Sequence, residues 1–532
     1  MIRDNLAKLV LDLANEHYGT NIISTQIEYS DSEFGDFSSN IAFELSRTLK
    51  TSPREIANTL APLIKESYIE KVEAAGSGYI NITMNQNYWI EIIKGINSDY
   101  LKSDLGKNKN LQIEFISANP TGPLTLANAR GGFLGDVLAN IYTKCGYKVT
   151  KEYYVNDGGV QIGKLVESIK AEAGLINPEN RQYSGEYIKD LIKAINKDDL
   201  NDDSKLAKTA VALLVDEIKE AVNKLGINFD VWFSEQSLID DGSVKDVIVL
   251  LQKMKLSYEK DNATWIKSST YGDERDRVII KSDGSYTYLL NDIAYHINIF
   301  NKRNFDRSIK LWGADHAGQV ESLKLTIKEL IPRAELDFIL IQFVRLMSEG
   351  IEVKMSKRAG TYVTIDELIK NLESAVGREY ASSVARWFFL SRSSDNRIDF
   401  DLTLASQQSS QNPYFYVMYS YARAHSIIGK AKENDIFSSN SIDYLNEYEI
   451  NLVKTMSKLP ELIKNIASDH EVHKLLFYGS EIARLFQTYY ENERIINLPK
   501  EVAEKKLYFI SQYILFMDQY WAILGILPVK HL

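Results

Sequence analysis

Apolar positions recur along this chain at two spacings, and the change between them divides it. Near the N-terminus Leu6, Leu9, Val10 and Leu13 interleave with Arg3, Asp4, Lys8 and Asp12 at the 3.6-residue period of an amphipathic helix. This predicts a helix over 2–16. A second helix is expected over 53–67, because Ser52-Pro53-Arg54-Glu55 puts proline in a first turn, where its missing N–H is not needed. Strands are expected near 22–29 and 78–84, the latter because Gly76-Ser77-Gly78 breaks the chain before the alternating Tyr79-Ile80-Asn81-Ile82-Thr83. Residues 1–105 thus read as a small α/β unit, closed by the polar linker Lys102 to Asn110.

From Leu111 the pattern changes. An apolar strand over Leu111 to Ser117, a loop over 118–128, a helical pattern from Ala129 to Lys144 and a strand from Lys148 to Val155 form a βαβ unit. Ligands of such sheets sit at the carboxyl ends of the strands, beside a helix N-terminus whose free N–H groups favour anions. No Gly-x-Gly-x-x-Gly follows the first strand, which disfavours a dinucleotide dehydrogenase. Residues 160–275 are mostly helical and charged and return to strand at Asp276-Arg277-Val278-Ile279-Ile280, as expected of an insertion in a domain spanning 106–404. From 405 to 532 the chain is helix-rich, with tyrosines crowded into 414–421.

Composition narrows the class. The chain has 532 residues, 45% hydrophobic and 25% charged, with no apolar run of bilayer length and no signal-peptide pattern. A cytoplasmic protein with no membrane partner is expected. Its one cysteine, Cys145, excludes an intramolecular disulfide and a cysteine-rich zinc site, and no metal-ligand spacing is found. The net charge of −10 argues against a general nucleic-acid coat, but a local basic face suffices for a specific partner.

Two loops carry candidate chemistry. Lys354-Met355-Ser356-Lys357, followed by Arg358-Ala359-Gly360-Thr361, suits a polyphosphate, since lysine brings point charge and serine a small donor. A basic cluster alone is usually solvated surface. Upstream, however, stands a second phosphate-type loop: Ser117-Ala118-Asn119-Pro120-Thr121-Gly122-Pro123-Leu124-Thr125-Leu126-Ala127-Asn128-Ala129-Arg130-Gly131-Gly132.

The pair resembles the two signatures of class I aminoacyl-tRNA synthetases, and the flanking segments resemble the bacterial-type arginyl-tRNA synthetase family. These are Tyr153-Tyr154-Val155-Asn156-Asp157, Phe233-Ser234-Glu235-Gln236-Ser237-Leu238, Asp292-Ile293-Ala294-Tyr295-His296, Trp312-Gly313-Ala314-Asp315-His316, Asp399-Phe400-Asp401-Leu402 and Asn412-Pro413-x-Phe415-Tyr416-Val417. In the first unit Gly35-Asp36-Phe37-Ser38-Ser39-Asn40-Ile41-Ala42 and Ala75-Gly76-Ser77-Gly78-Tyr79-Ile80-Asn81 are similar to that family's N-terminal domain.

The resemblance implies an α/β, Rossmann-like parallel-sheet catalytic domain with a helical insertion, a small α/β N-terminal tRNA-binding domain and an all-α C-terminal anticodon-binding domain. It implies ATP-dependent ligation of L-arginine to arginine tRNA through an arginyl-adenylate. Mg²⁺ would accompany ATP, no cofactor would be tightly bound, and the chain would act as a monomer. Lys354, Ser356 and Lys357 would be catalytic, and Pro120, Thr121, Gly122, Pro123, Thr125, Leu126, Ala127, Asn128 and Met355 would bind ATP. Ser117, Asn119, Glu152, Asn156, Tyr288, Asp292 and His316 would hold arginine, with Asp292 the first choice for the guanidinium. Tyr288 and Asp292 lie four apart, on one face if helical. Tyr79 and Asn81 would contact the tRNA elbow, and Tyr416, Tyr419 and Arg423 the anticodon.

One departure stands out. Where the family box reads His-x-Gly-His, this chain has Thr125-Leu126-Ala127-Asn128. Thr and Asn still offer hydrogen bonds to phosphate, and the tryptophanyl branch of the class carries a similar Thr-Ile-Gly-Asn. Ala127 adds a methyl where glycine would leave bare backbone for adenine. Two further readings therefore stay open: a catalytically weak or inactive paralogue that binds tRNA, and a related nucleotidyl transferase acting on another amino acid or carrier.

Overall fold

The computed structural model describes residues 2–30, 32–353 and 364–530. Lys354, Met355, Ser356 and Lys357 lie outside the described residues.

The N-terminal unit is a four-stranded antiparallel sheet, β1 (Ile27–Tyr29), β2 (Phe37–Ser39), β3 (Ile69–Ala75) and β4 (Tyr79–Met84), ordered β1-β2-β4-β3. Ile80 and Ile82 of β4 point into a core with Leu6, Val10, Ile41, Leu45 and Ile56, all fully or almost fully buried. The first helix, Ile2–Tyr18, runs two residues beyond the predicted end, and the second shortens to Pro53–Leu60 plus a 3-10 turn, Ala61–Leu63. Of the strand expected over 22–29 only Ile27–Tyr29 pairs, its register set by β2.

The central domain is built on five parallel strands: β5 (Asn110–Glu114), β6 (Lys148–Val155), β7 (Val231–Ser234), β11 (Arg307–Gly313) and β12 (Glu335–Ile341), ordered β12-β11-β5-β6-β7. The chain winds outward from β5 through β6 to β7, then crosses to β11 on the other side. The switch point lies between β5 and β11, and the carboxyl ends of the strands there are the crevice in which such sheets bind ligands. Strand β5 stops three residues before its predicted end, because Ile116 and Ser117 adopt positive φ of 66° and 40° and turn the chain out of the sheet.

The stretch expected to be a mostly helical insertion has more than one character. Helices Gly159–Glu172, Glu186–Ala194 and Asp203–Lys224 pack on a core of their own, including Leu165, Ile169, Ile188, Leu206 and Leu214. Val231–Ser234 then rejoins the main sheet as β7. Beyond it β8 (Ser257–Lys260), β9 (Ala263–Ile266) and β10 (Arg277–Ile280) form a separate antiparallel sheet.

The helix Leu126–Lys144 lies against the sheet at close range, and its glycines explain how. A Cβ on Gly132 would stand 2.9 Å from Ile116 and Ile227, and one on Gly135 would stand 2.3 Å from the Phe115 ring. Its other side is covered by the helices Arg378–Phe389 and Lys500–Leu524. Arg386 knots these pieces together from a site 1% exposed: its guanidinium donates to Asp136 at 2.6 Å, to the Leu524 carbonyl at 2.9 Å and to the Leu225 carbonyl at 3.1 Å. The C-terminal helices also reach back to the first unit, where Glu461 pairs with Arg3 and accepts from the Tyr29 hydroxyl.

Candidate active site

The loop after β5 is shaped by its own hydrogen bonds. Ser117 Oγ donates to Glu114 Oε1 at 2.9 Å and accepts from Tyr154 N at 3.1 Å, which joins the ends of β5 and β6. The Asn119 carbonyl accepts from Thr121 N at 2.7 Å, leaving the exposed Asn119 side chain at the rim with the half-buried Asn156 beyond β6. Pro120 is buried, and Thr121, Gly122 and Pro123 are half-buried. The Tyr187 hydroxyl, from the inserted helices, donates to the Thr121 carbonyl at 2.9 Å.

The helix begins three residues earlier than predicted. Asn128 Oδ1 accepts from Thr125 N at 2.9 Å and from Thr125 Oγ1 at 2.8 Å, so the altered box closes its own helix start. Leu126 is buried and the Ala127 methyl is exposed in the first turn. Arg130, 1% exposed, donates to the carbonyls of Gln342, Ser393 and Asn396 and fixes the helix to the end of β12 and to the turn after the helix Arg378–Phe389. Burial pulls its guanidinium down to about 10.

The described chain resumes against this loop. Thr364 forms an antiparallel bridge with Thr125, and Ile365 N donates to the Leu124 carbonyl at 3.1 Å. Thr364 also caps the helix Ile365–Val376: its Oγ1 accepts from Glu367 N at 3.1 Å and its N donates to Glu367 Oε2 at 2.9 Å.

Deeper in the crevice, carboxylates gather. Asp292 lies on the helix Tyr288–Ile297, one turn from the exposed Tyr288. Burial, then Glu114 and Glu235, push its carboxyl up to about 8, opposed by Lys310. Glu235, just past β7, is buried. Its Oε1 accepts from Asn291 Nδ2 at 2.5 Å, while its Oε2 and Asn291 Oδ1 are buried with no hydrogen-bond partner. Burial pushes the Glu235 carboxyl up as well, countered by Asn291 and reinforced by Asp157. A buried carboxylate oxygen of Glu235 and a buried amide oxygen of Asn291, near the Asp292 carboxyl, offer acceptors that suit a multidentate cationic donor.

Glu235 belongs to the Phe233 to Leu238 segment, and its burial, which that segment does not reveal, is what distinguishes it. Glu152, expected as an arginine ligand, is engaged by protein partners. It is fully buried on β6, and its oxygens are held by the Arg303 guanidinium, at 3.0 Å for Oε1 and 2.5 Å for Oε2, and by the Tyr295 hydroxyl. His316 is exposed at the end of β11, 3.8 Å from Asp315.

The other expected residues lie on the end domains. Tyr79 is 47% exposed on β4, edge-on to Phe43, and Asn81 on the same strand face is nearly buried, its Oδ1 accepting from Ser38. Tyr416, Tyr419 and Arg423 are half-buried along one stripe of the helix Pro413–Glu433, with Arg423 5.3 Å from the Tyr490 ring centre. Buried core residues on that helix, such as Phe415, Val417 and Met418, occupy the other side.

Residues 1–84 match the arginyl tRNA synthetase N terminal domain, residues 92–379 the class I (R) tRNA synthetase catalytic domain, and residues 417–532 the DALR anticodon binding domain. The chain is 41% identical to an arginine--tRNA ligase of Caldanaerobacter subterraneus, covering 88% of this chain and 86% of that one. It is 35% identical to the arginine--tRNA ligase of Aquifex aeolicus over 96% of each. The fold superposes on Thermus thermophilus arginyl-tRNA synthetase with a TM-score of 0.80 at 18% identity, covering 100% of both chains.

Proposed function

The chain belongs to the arginyl-tRNA synthetase family and ligates arginine to its tRNA, and from that premise we propose how its residues divide the work. The observation that carries the reading is the meeting of Glu114, Glu235 and Asp292 around unpartnered buried acceptors. Asp292 and Glu235 receive the substrate guanidinium. Tyr288 flanks it, Asn291 contributes its free carbonyl oxygen, and Ser117, Asn119, Asn156 and His316 line the rim toward the amino and carboxylate ends.

With the guanidinium anchored, the arginine carboxylate is presented to the α-phosphorus of ATP. An arginine oxygen forms the new bond to phosphorus and pyrophosphate leaves; a hydroxyl of the terminal tRNA ribose then attacks the adenylate carbonyl and AMP leaves. Neither step requires a covalent enzyme nucleophile, so the protein acts by positioning and by stabilising charge. Pro120 to Pro123 and Thr125 to Asn128 cradle ATP at the helix N-terminus. Lys354 and Lys357 neutralise the departing phosphates, with Ser356 and Met355 supporting that loop. Continuity of the chain from residue 363 into Thr364, bridged to Thr125, supports this assignment.

Mg²⁺ belongs to the ATP substrate, carried by its phosphates; among the described residues no three His, Cys, Asp or Glu side chains are grouped to hold a metal. Tyr79 and Asn81 on one end domain and Tyr416, Tyr419 and Arg423 on the other contact tRNA through stacking and hydrogen bonds. The domains divide near 105 and 404, the chain acts as a monomer, and it works in the cytoplasm. No helix among the described residues is long and apolar enough to cross a membrane.

Asp292→Asn tests the division of roles. The KM for arginine should rise at least about 100-fold, as expected when a charged hydrogen-bonding partner is removed, with the KM for ATP little changed. An equal rise in both would contradict it.

A further inference from the structure

Lys310 is a lysine on β11 with 0% exposure. Its Nζ donates to Glu114 Oε2 at 2.6 Å across the β5/β11 pair and lies 4.1 Å from the centre of the Tyr295 ring, on the same helix as Asp292. A lysine carried this deep needs a partner, and Glu114 supplies it. Glu114 in turn accepts from Ser117, so the cation is linked through one carboxylate to the loop that opens the crevice.

We propose that Lys310 is a specificity-determining residue for the amino-acid substrate: a cation beneath the pocket that neutralises Glu114 and leaves Asp292 and Glu235 as the charge seen by one guanidinium. The inference rests on the arginine-pocket reading above and deepens it. Without Lys310 the crevice holds three close carboxylates, an arrangement that retains a proton instead of presenting full charge. With it, the pocket gives up its last proton to solvent when a guanidinium arrives near neutral pH. The groups around Asp292 are Glu114 from β5, Glu235 beyond β7, Tyr154 from β6 and Lys310 from β11. Lys310 itself is surrounded by Glu114, by Glu152 paired to Arg303, and by Tyr295 and His296 of the Tyr288–Ile297 helix. The neutral, deeply buried His296 adds no competing charge, since burial holds its imidazole well below the ordinary range.

The test is proton release on arginine binding, measured calorimetrically in buffers of different ionisation enthalpy, using the full chain with arginine tRNA between pH 6.5 and 9 (about the range bracketing the Asp292 transition). In Lys310→Met the midpoint of release should move up by about half a pH unit or more, and Glu114→Gln added to it should bring the midpoint back. Glu114→Gln alone should move it down, which keeps the test available if Lys310→Met fails to fold. Folded variants that bind arginine with an unmoved midpoint would overturn the inference. Asp292→Asn separates the two claims: if it binds arginine and releases protons like the parent chain, the pocket reading itself fails.

Discussion

Thr125 and Thr364 form an antiparallel bridge, so the residue that starts the phosphate-loop helix and the residue that caps the helix after the Lys354 segment share one piece of backbone geometry. Both are N-caps, each closed by a side chain three residues on, Asn128 for Thr125 and Glu367 for Thr364. Ile365 N donates to the Leu124 carbonyl at 3.1 Å and ties the two caps together.

Thr364→Ala removes the acceptor for Glu367 N. A lost N-cap costs about 1 kcal/mol, seen as a lower Tm. Steady-state kinetics should show the KM for ATP rising severalfold with the KM for arginine nearly constant, because the loosened contact lies on the phosphate side.

Ala127 stands exposed in the first turn of the helix, where adenine would approach. Ala127→Gly should bind ATP more tightly while losing up to about 1 kcal/mol of helix stability. Unchanged ATP affinity in equilibrium binding would mean that the backbone already accommodates the methyl.

Lys357 and Thr125 are assigned unequal parts. Lys357→Ala, which removes charge from the departing pyrophosphate, should lower kcat far more than Thr125→Ala, with a loss on the order of 100-fold or greater. Equal small effects in aminoacylation assays would contradict the assignment.

Much of this was legible in residue patterns and some was not. The strand, loop and helix over Leu111 to Lys144 follow from a short apolar run, a break at Pro120 to Pro123 and a longer apolar-rich stretch, because a buried strand is short and a helix long. The early end of β5 does not, since positive φ at Ile116 and Ser117 arises from the turn they make over Tyr154. Val231–Ser234 has too few residues to stand out from a helical neighbourhood, and its place in the sheet depends on pairing with β6. Lys310 reads as a surface residue, because nothing local tells a lysine that its partner, Glu114, is on the neighbouring strand. Glu152 is the converse: the family resemblance implies an arginine ligand, and its ion pair with Arg303, 151 residues away, leaves no local trace.

The Asp292 carboxyl also gives stability a pH dependence. Its folded-state value of about 8 lies above the ordinary 3.8, so the native state holds a proton that the unfolded chain has already lost. This favourable contribution is complete below the ordinary value and is lost as pH rises through about 8. Asp292→Asn removes the effect. Its Tm advantage over the parent chain should therefore grow from pH 5 to pH 8.5 (about the span of that window) and then level off, as thermal melts across this range would record.

Arg386 holds Asp136 in a buried pair beside three backbone carbonyls. Arg386→Met should destabilise by about 3–5 kcal/mol, since it strands a buried carboxylate that Lys151 only partly covers. Denaturant unfolding measures this directly.

The most direct measurement is the charging of total cellular tRNA with labelled arginine and ATP, with lysine and glutamate run alongside. Arginine alone should be esterified, which requires that Thr125-Leu126-Ala127-Asn128 sustains adenylate formation. Tight binding of arginine tRNA with no charging by any of the three amino acids would contradict this and leave a tRNA-binding protein with a silent active site.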